Sequence, residues 1–127
     1  MRSILAIDTA GPEGSVALAA GSRPVASVSL PPSGHSEALA EAAASLLRDA
    51  GLAFRDLAAL AVAEGPGSFT GLRIGLAWAK GVAWGAGVPL VLVPSHEALA
   101  FAHAAPGRLV ASLIPGERGR TEAALWS

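Results

Sequence analysis

"LAVAEGPGSFTGLRIG", Leu60 to Gly75, passes from a branched apolar run through Glu64 into a segment with four glycines and one proline. The apolar run predicts a buried strand, the Gly-Pro-Gly segment a loop, and the residues after it a helix. In such a unit the loop lies at the carboxyl edge of a sheet, with its amides near a helix N-terminus, where anions bind well. Gly71 is followed by Leu72 and Arg73, so the Gly-Lys-Ser/Thr ending of a phosphate loop is absent, and the spacing of dinucleotide-binding glycines is not matched either. The stretch therefore reads first as a corner. Gly65 and Gly67 permit a tight turn, and Gly71 and Gly75 let the helix approach the sheet closely.

Upstream, "SILAIDTA" is a short strand ending in Asp8, "GPEG" a turn, and "SVALAAG" and "RPVASVSL" two further strands joined at Gly21 and Ser22. "PPSGH" breaks the pattern. A helix is predicted over Ser36 to Ala50, with Leu39, Ala43, Leu46 and Ala50 on one face, Glu37, Glu41 and Arg48 opposite, Ser36 as N-cap and Gly51 as C-cap. Downstream come a helix over Thr70 to Ala86, a strand at "VPLVLV", a helix at "SHEALAFAHA" and a strand at "RLVASLIP". The order βββαβαβα predicts an α/β fold. Its sheet is mixed and five-stranded, flanked by helices, because strand, helix, strand units force parallel neighbours while the opening hairpins stay antiparallel. That is the architecture of one ribonuclease-H-like lobe.

At about 100° per residue, Gly71, Gly75, Trp78 and Val82 of the second helix point one way, and Arg73, Leu76, Ala77, Lys80 and Trp84 the other. Large apolar groups on both sides predict a helix buried twice, by its own sheet and by a second polypeptide on the Arg73 side.

The 127 residues fit one domain, and 52% hydrophobic content is enough for a core. A net charge of −1 argues against a surface built to neutralise nucleic-acid phosphates. With no cysteine there are no disulfides and no thiolate metal sites. Asp8 interrupts the first apolar run before a signal-peptide core forms, and no apolar window reaches the roughly 20 residues of a spanning helix. The expectation is a soluble, cytoplasmic protein with no membrane contact.

Catalytic candidates are few. Asp8, at a strand end, is placed to hold a hydrated magnesium ion beside a nucleotide phosphate. His96 and His103 are seven residues apart on one helix, about 10 Å along its axis, too far to share a metal. His35 sits at a helix boundary, and no Ser, His and Asp arrangement declares itself. No catalytic and no metal-ligating residue is assigned.

Together "LAIDTA", "GHSEAL", "EGPGSFTGLRIGLAWAKGVA" and "GVPLVLVPSHEALA" resemble the bacterial tRNA threonylcarbamoyladenosine biosynthesis family TsaB, also called YeaZ, over essentially the whole chain in order. The resemblance implies the actin, hexokinase and Hsp70-type ATPase fold with two ribonuclease-H-like lobes. Residues 1–106 would form the first lobe and residues 107–127 the first strand and hairpin of a second, most of which lies outside these residues. It implies a non-catalytic role in placing threonylcarbamoyl on N6 of an adenosine in tRNAs that read codons beginning with A. The partners would be a TsaD-type catalytic subunit and a TsaE-type ATPase, with a homodimer in isolation and tRNA met only indirectly.

The contacts would come from the first two helices: Leu39, Ala43 and Leu46, with Leu72, Arg73, Leu76, Ala77, Lys80 and Trp84. ATP or ADP with magnesium would bind only in the complex, at Asp8, Thr9, Gly67 and Ser68. The family's catalytic subunit carries an H-x-x-x-H metal motif where this chain has Ser95 and Leu99, and an Asp-Ala-Arg common in the family is replaced by Pro115, Gly116 and Glu117. Two alternatives stand beside this reading: a phosphohydrolase or peptidase using Asp8, and a chain that only homodimerises.

Overall fold

A computed structural model describes residues 2–32 and 35–127. The chain runs β1 (Ser3–Asp8), β2 (Gly14–Ala20), β3 (Arg23–Leu30), α1 (His35–Asp49), β4 (Ala59–Gly65), α2 (Phe69–Ala86), β5 (Leu90–Pro94), α3 (Ser95–His103), β6 (Val110–Pro115) and β7 (Thr121–Trp126). Five strands form one sheet in the order β3-β2-β1-β4-β5, and β6 and β7 form a separate hairpin. β1 pairs antiparallel with β2 and parallel with β4, and β4 pairs parallel with β5, which is the mixed sheet the element order predicts.

Alternation along the strands sets the layers. Leu5 and Ile7 of β1, Val16 and Leu18 of β2 and Leu60 and Val62 of β4 are buried under α1 and α2. The residues between them, Ala6, Ala17, Ala61 and Ala63, line a small hollow with Ala98 of α3, so α3 lies on the other side of the sheet.

α1 buries Leu39, Ala42, Ala43, Leu46 and Leu47. The stripe is wider than expected and leaves out Ala50, which is exposed beyond the last turn. Ser36 does not cap this helix, because the helical turn already includes His35; Ser33 and Gly34 lie outside the described residues. The C-terminal expectation holds: Gly51 adopts φ 69°, its N–H donates to Arg48 O and that of Leu52 to Leu47 O. That pair of bonds is the Schellman ending, which satisfies two carbonyls the helix leaves free. α2 ends the same way at Gly87, with Val88 N–H on Ala83 O.

Candidate functional site

The end of β1 and the start of α2 are joined residue by residue. Thr9 is fully buried, and its Oγ1–H donates to Gly71 O at 2.6 Å. Ser68 N–H donates to Ala10 O at 2.7 Å, Ala10 N–H donates to Asp8 Oδ1 at 2.9 Å, and Ser68 Oγ accepts from Gly71 N–H as the N-cap of α2. A Cβ on Gly67 would lie 2.6 Å from Ala10 O; one on Gly71 would run into Thr9 O, and one on Gly75 into Thr9 Oγ1. The glycines thus bring α2 against β1 with no room for a methyl group, the corner-turning role expected of them.

This joint also decides what the four nucleotide candidates do. Asp8, Thr9, Gly67 and Ser68 meet at one sheet edge, but three of the four are occupied by the fold itself. The Thr9 hydroxyl is buried and bonded, so its expected contact with a ligand is corrected. Ser68 Oγ caps α2 and Gly67 is pressed on Ala10. Asp8 is exposed, with one oxygen holding its own turn. Replacing Thr9 with Val, of the same shape, is expected to lower stability by about 1–2 kcal/mol through the lost buried bond, readable as a lower urea midpoint.

Beside the joint lies a cleft of about 750 Å³, with Gly67, Ser68, Phe69 and Thr70 on one wall and Ile114, Pro115, Gly116 and Glu117 of the hairpin on the other. Glu117 is the one charged side chain of its lining. The adjoining hollow carries Arg118 and Arg120 against Glu64, Glu117 and Glu122. The one charge on the cleft wall is thus an acid, which does not attract a polyphosphate. Among the described residues no three His, Asp or Glu side chains converge on a point that could hold a metal.

Outward from the joint, α2 presents a continuous stripe. Phe69 is 68% exposed with the Arg73 guanidinium 5.4 Å from its ring centroid, Ala77 and Lys80 follow at helical spacing, and Trp84 is 90% exposed. The inner stripe is Gly71, Gly75, Ala79 and Ala83. Trp78 and Val82, expected on that face with Gly71 and Gly75, flank it half-buried, and Trp78 packs edge-on to Phe54 at 6.0 Å. Leu76 is also half-buried against the core, and Leu72 is half-buried beside Gly65, so neither belongs to the outermost rank.

For Leu39, Ala43 and Leu46 the expected partner contact is corrected. Each is at most 6% exposed and packed in the core under the sheet. Turning one such leucine outward would forfeit roughly 1.5–3 kcal/mol, which a rim contact does not return. The exposed side of α1 carries Glu37, Glu41, Arg48 and Asp49, with a surface Arg48–Glu41 pair at 3.6 Å.

One polar cluster went unrecognised in the sequence. His96 Nδ1 of α3 lies 2.7 Å from Ser112 Oγ of β6, Trp126 Nε1–H of β7 donates to the same Oγ at 3.2 Å, and Ser112 Oγ–H reaches Ala124 O at 3.5 Å. A serine and histidine in contact suggest a nucleophile and base, but Ser112 is only 5% exposed. The imidazole nitrogen and the hydroxyl share one proton across 2.7 Å, and the same Oγ is held by Trp126 and Ala124, so the cluster is hydrogen-bonded within the fold and closed to a substrate. No spacing rule links His96 to Ser112.

Comparison with known proteins places these features. Residues 31–124 match the family model described as "TsaD: tRNA N6-adenosine threonylcarbamoyltransferase". The chain is 36% identical to the tRNA threonylcarbamoyladenosine biosynthesis protein TsaB of Bacillus subtilis, over 98% of this chain and 55% of that protein. A Pseudomonas aeruginosa structure described as similar to peptidase YEAZ superposes with a TM-score of 0.88 at 31% identity, over 99% of this chain and 59% of that one. Thermus thermophilus RuvC, 18% identical with a TM-score of 0.52 over 82% of this chain and 73% of its own, shares the fold. The chain spans about half the length of the curated relatives it matches. No described helix is long and apolar enough to cross a membrane.

Proposed function

The chain belongs to the TsaB (YeaZ) family, and from that premise we propose that it is a non-catalytic subunit of the machinery that makes N6-threonylcarbamoyladenosine in tRNA. In this reading it binds a TsaD-type catalytic subunit through the outer stripe of α2. The observation that carries the proposal is the pairing of opposite faces on one helix. Glycines press the inner face onto Thr9, while the outer face sets Phe69, Arg73, Ala77, Lys80 and Trp84 in water. A free helix face with an aromatic at each end and cations between has the composition of a protein-binding patch.

A TsaE-type ATPase would join that assembly, a second copy of this chain would occupy the stripe when the partner is absent, and tRNA would meet the partner. Residues 107–127 would open a second lobe. Nucleotide and magnesium would belong to the assembled complex, because the one charged side chain lining the cleft of this chain is the acid Glu117.

The test is co-purification of the tagged chain with a TsaD-type subunit, with and without ATP. A stoichiometric complex is expected, together with threonylcarbamoyl transfer that depends on the partner and is absent from this chain alone. Failure to bind in both conditions, or transfer by this chain unaided, would overturn the proposal.

A further inference from the structure

The hairpin β6-β7 is outside the five-stranded sheet, yet its turn end, Ile114 to Glu117, forms one wall of the cleft. It is joined to α3 through residues 104–109, a turn in which Gly107 takes φ 72° and Arg108 N–H donates to Ala105 O. A link of six residues does not by itself set an angle. Among the described residues, the side-chain hydrogen bond that crosses from the first eight elements to the hairpin is His96 with Ser112, and Trp126 closes the same cluster from β7.

We propose that His96, Ser112 and Trp126 form a clasp that sets the tilt of the hairpin and so the width of the cleft. Three elements meet at one buried oxygen: α3 supplies the imidazole, β6 the hydroxyl and β7 the indole N–H. Ser112 precedes the cleft wall by two to five residues of β6 and its turn, a lever of roughly 7–16 Å at the rise of a strand. A small rotation at Ser112 therefore becomes a displacement of Pro115 and Glu117 relative to Gly67 and Phe69. Ser112 is buried, so no water replaces a lost partner of its hydroxyl without opening the seam between α3 and the hairpin. His96, Ser112 and Trp126 act here as positioning residues. The clasp is a property of this chain alone, and its test needs no partner.

The chain has no cysteine, so two can be introduced without background. Spin labels on cysteines replacing Glu13 and Glu122, both exposed, report the distance from the sheet to the hairpin. A single narrow distance distribution is expected in the labelled parent. Ser112→Ala and His96→Ala should broaden or shift it, and His96→Asn, whose amide can reach the position of Nδ1, should restore it. Amide exchange in β6 and β7 should accelerate about tenfold in Ser112→Ala, the scale of one buried hydrogen bond, with β1 to β5 unchanged. His96→Ala keeps the test valid where Ser112→Ala fails to fold, since His96 lies only half-buried at the seam. An unchanged distance distribution in His96→Ala, or exchange that accelerates equally throughout the chain, would overturn the clasp.

Discussion

Gly71→Ala will cost the protein about 3 kcal/mol or more, while Gly81→Ala in the same helix will stabilise it. Alanine is the better helix former by about 1 kcal/mol, so propensity alone predicts a gain at both sites. At Gly71 the new methyl would enter the Thr9 carbonyl, a backbone atom at the end of a central strand. Relief requires α2 to move off β1, which breaks the Thr9–Gly71 and Ser68–Ala10 bonds together. Overpacking of this kind costs about 1–3 kcal/mol and more where backbone must shift, out of a total stability of about 5–15 kcal/mol.

Gly75→Ala is expected to be milder, because its methyl meets the Thr9 hydroxyl, which can rotate at the cost of its bond. Around Gly81 and Gly85 nothing lies within 4 Å, so there the helix preference is unopposed. Urea denaturation of the alanine variants at Gly71, Gly75, Gly81 and Gly85 reads the contrast directly. A Gly71→Ala midpoint equal to that of the parent would contradict the close approach of helix and strand.

Trp84→Ala is expected to weaken binding of the TsaD-type subunit by at least tenfold while leaving the unfolding midpoint where it is. The two effects separate because Trp84 is 90% exposed and its ring is outside the core. Truncating a tryptophan that anchors an interface typically costs about 2 kcal/mol or more in binding; truncating one that stands in water costs folding almost nothing. Lys80→Glu, one turn earlier on the same stripe, is expected to slow association and to change its salt dependence, as reversal of an interface charge does. Leu76→Glu is the wrong probe, since Leu76 is packed on the core and its loss of binding would merely report damage to the fold. Titration calorimetry alongside urea melts distinguishes the cases. Wild-type affinity in Trp84→Ala would remove the outer stripe of α2 from the interface.

Much of the site was legible because its signals are local. The apolar run leading to Glu64, the turn at Gly65 and Gly67 and the glycines at intervals of four all act within one turn of their own position, whereas the cap at Ser68 emerged only from the structure. The faces of the helices were less legible. Periodicity states that α1 has an apolar stripe, but Leu39, Ala43 and Leu46 carry no mark telling whether their own sheet or a partner covers them. On α2 the inner rank proved to be glycine and alanine, with Trp78 and Val82 beside it. The face that fits most tightly against the sheet is the one with the smallest side chains, and scales of hydrophobicity rank such residues low.

By itself the sequence determined the kinds of element, their order and therefore the mixed sheet, because these follow from side-chain period, turn residues and the handedness of strand-helix-strand connections. The tertiary structure alone decided that Thr9 is bonded into the joint, that Trp84 stands outward, and that His96 meets Ser112. Thr9 and Gly71 are 62 positions apart and His96 and Ser112 sixteen. Contacts at such separations arise from how layers stack, and nothing in the local chemistry of either residue announces its partner.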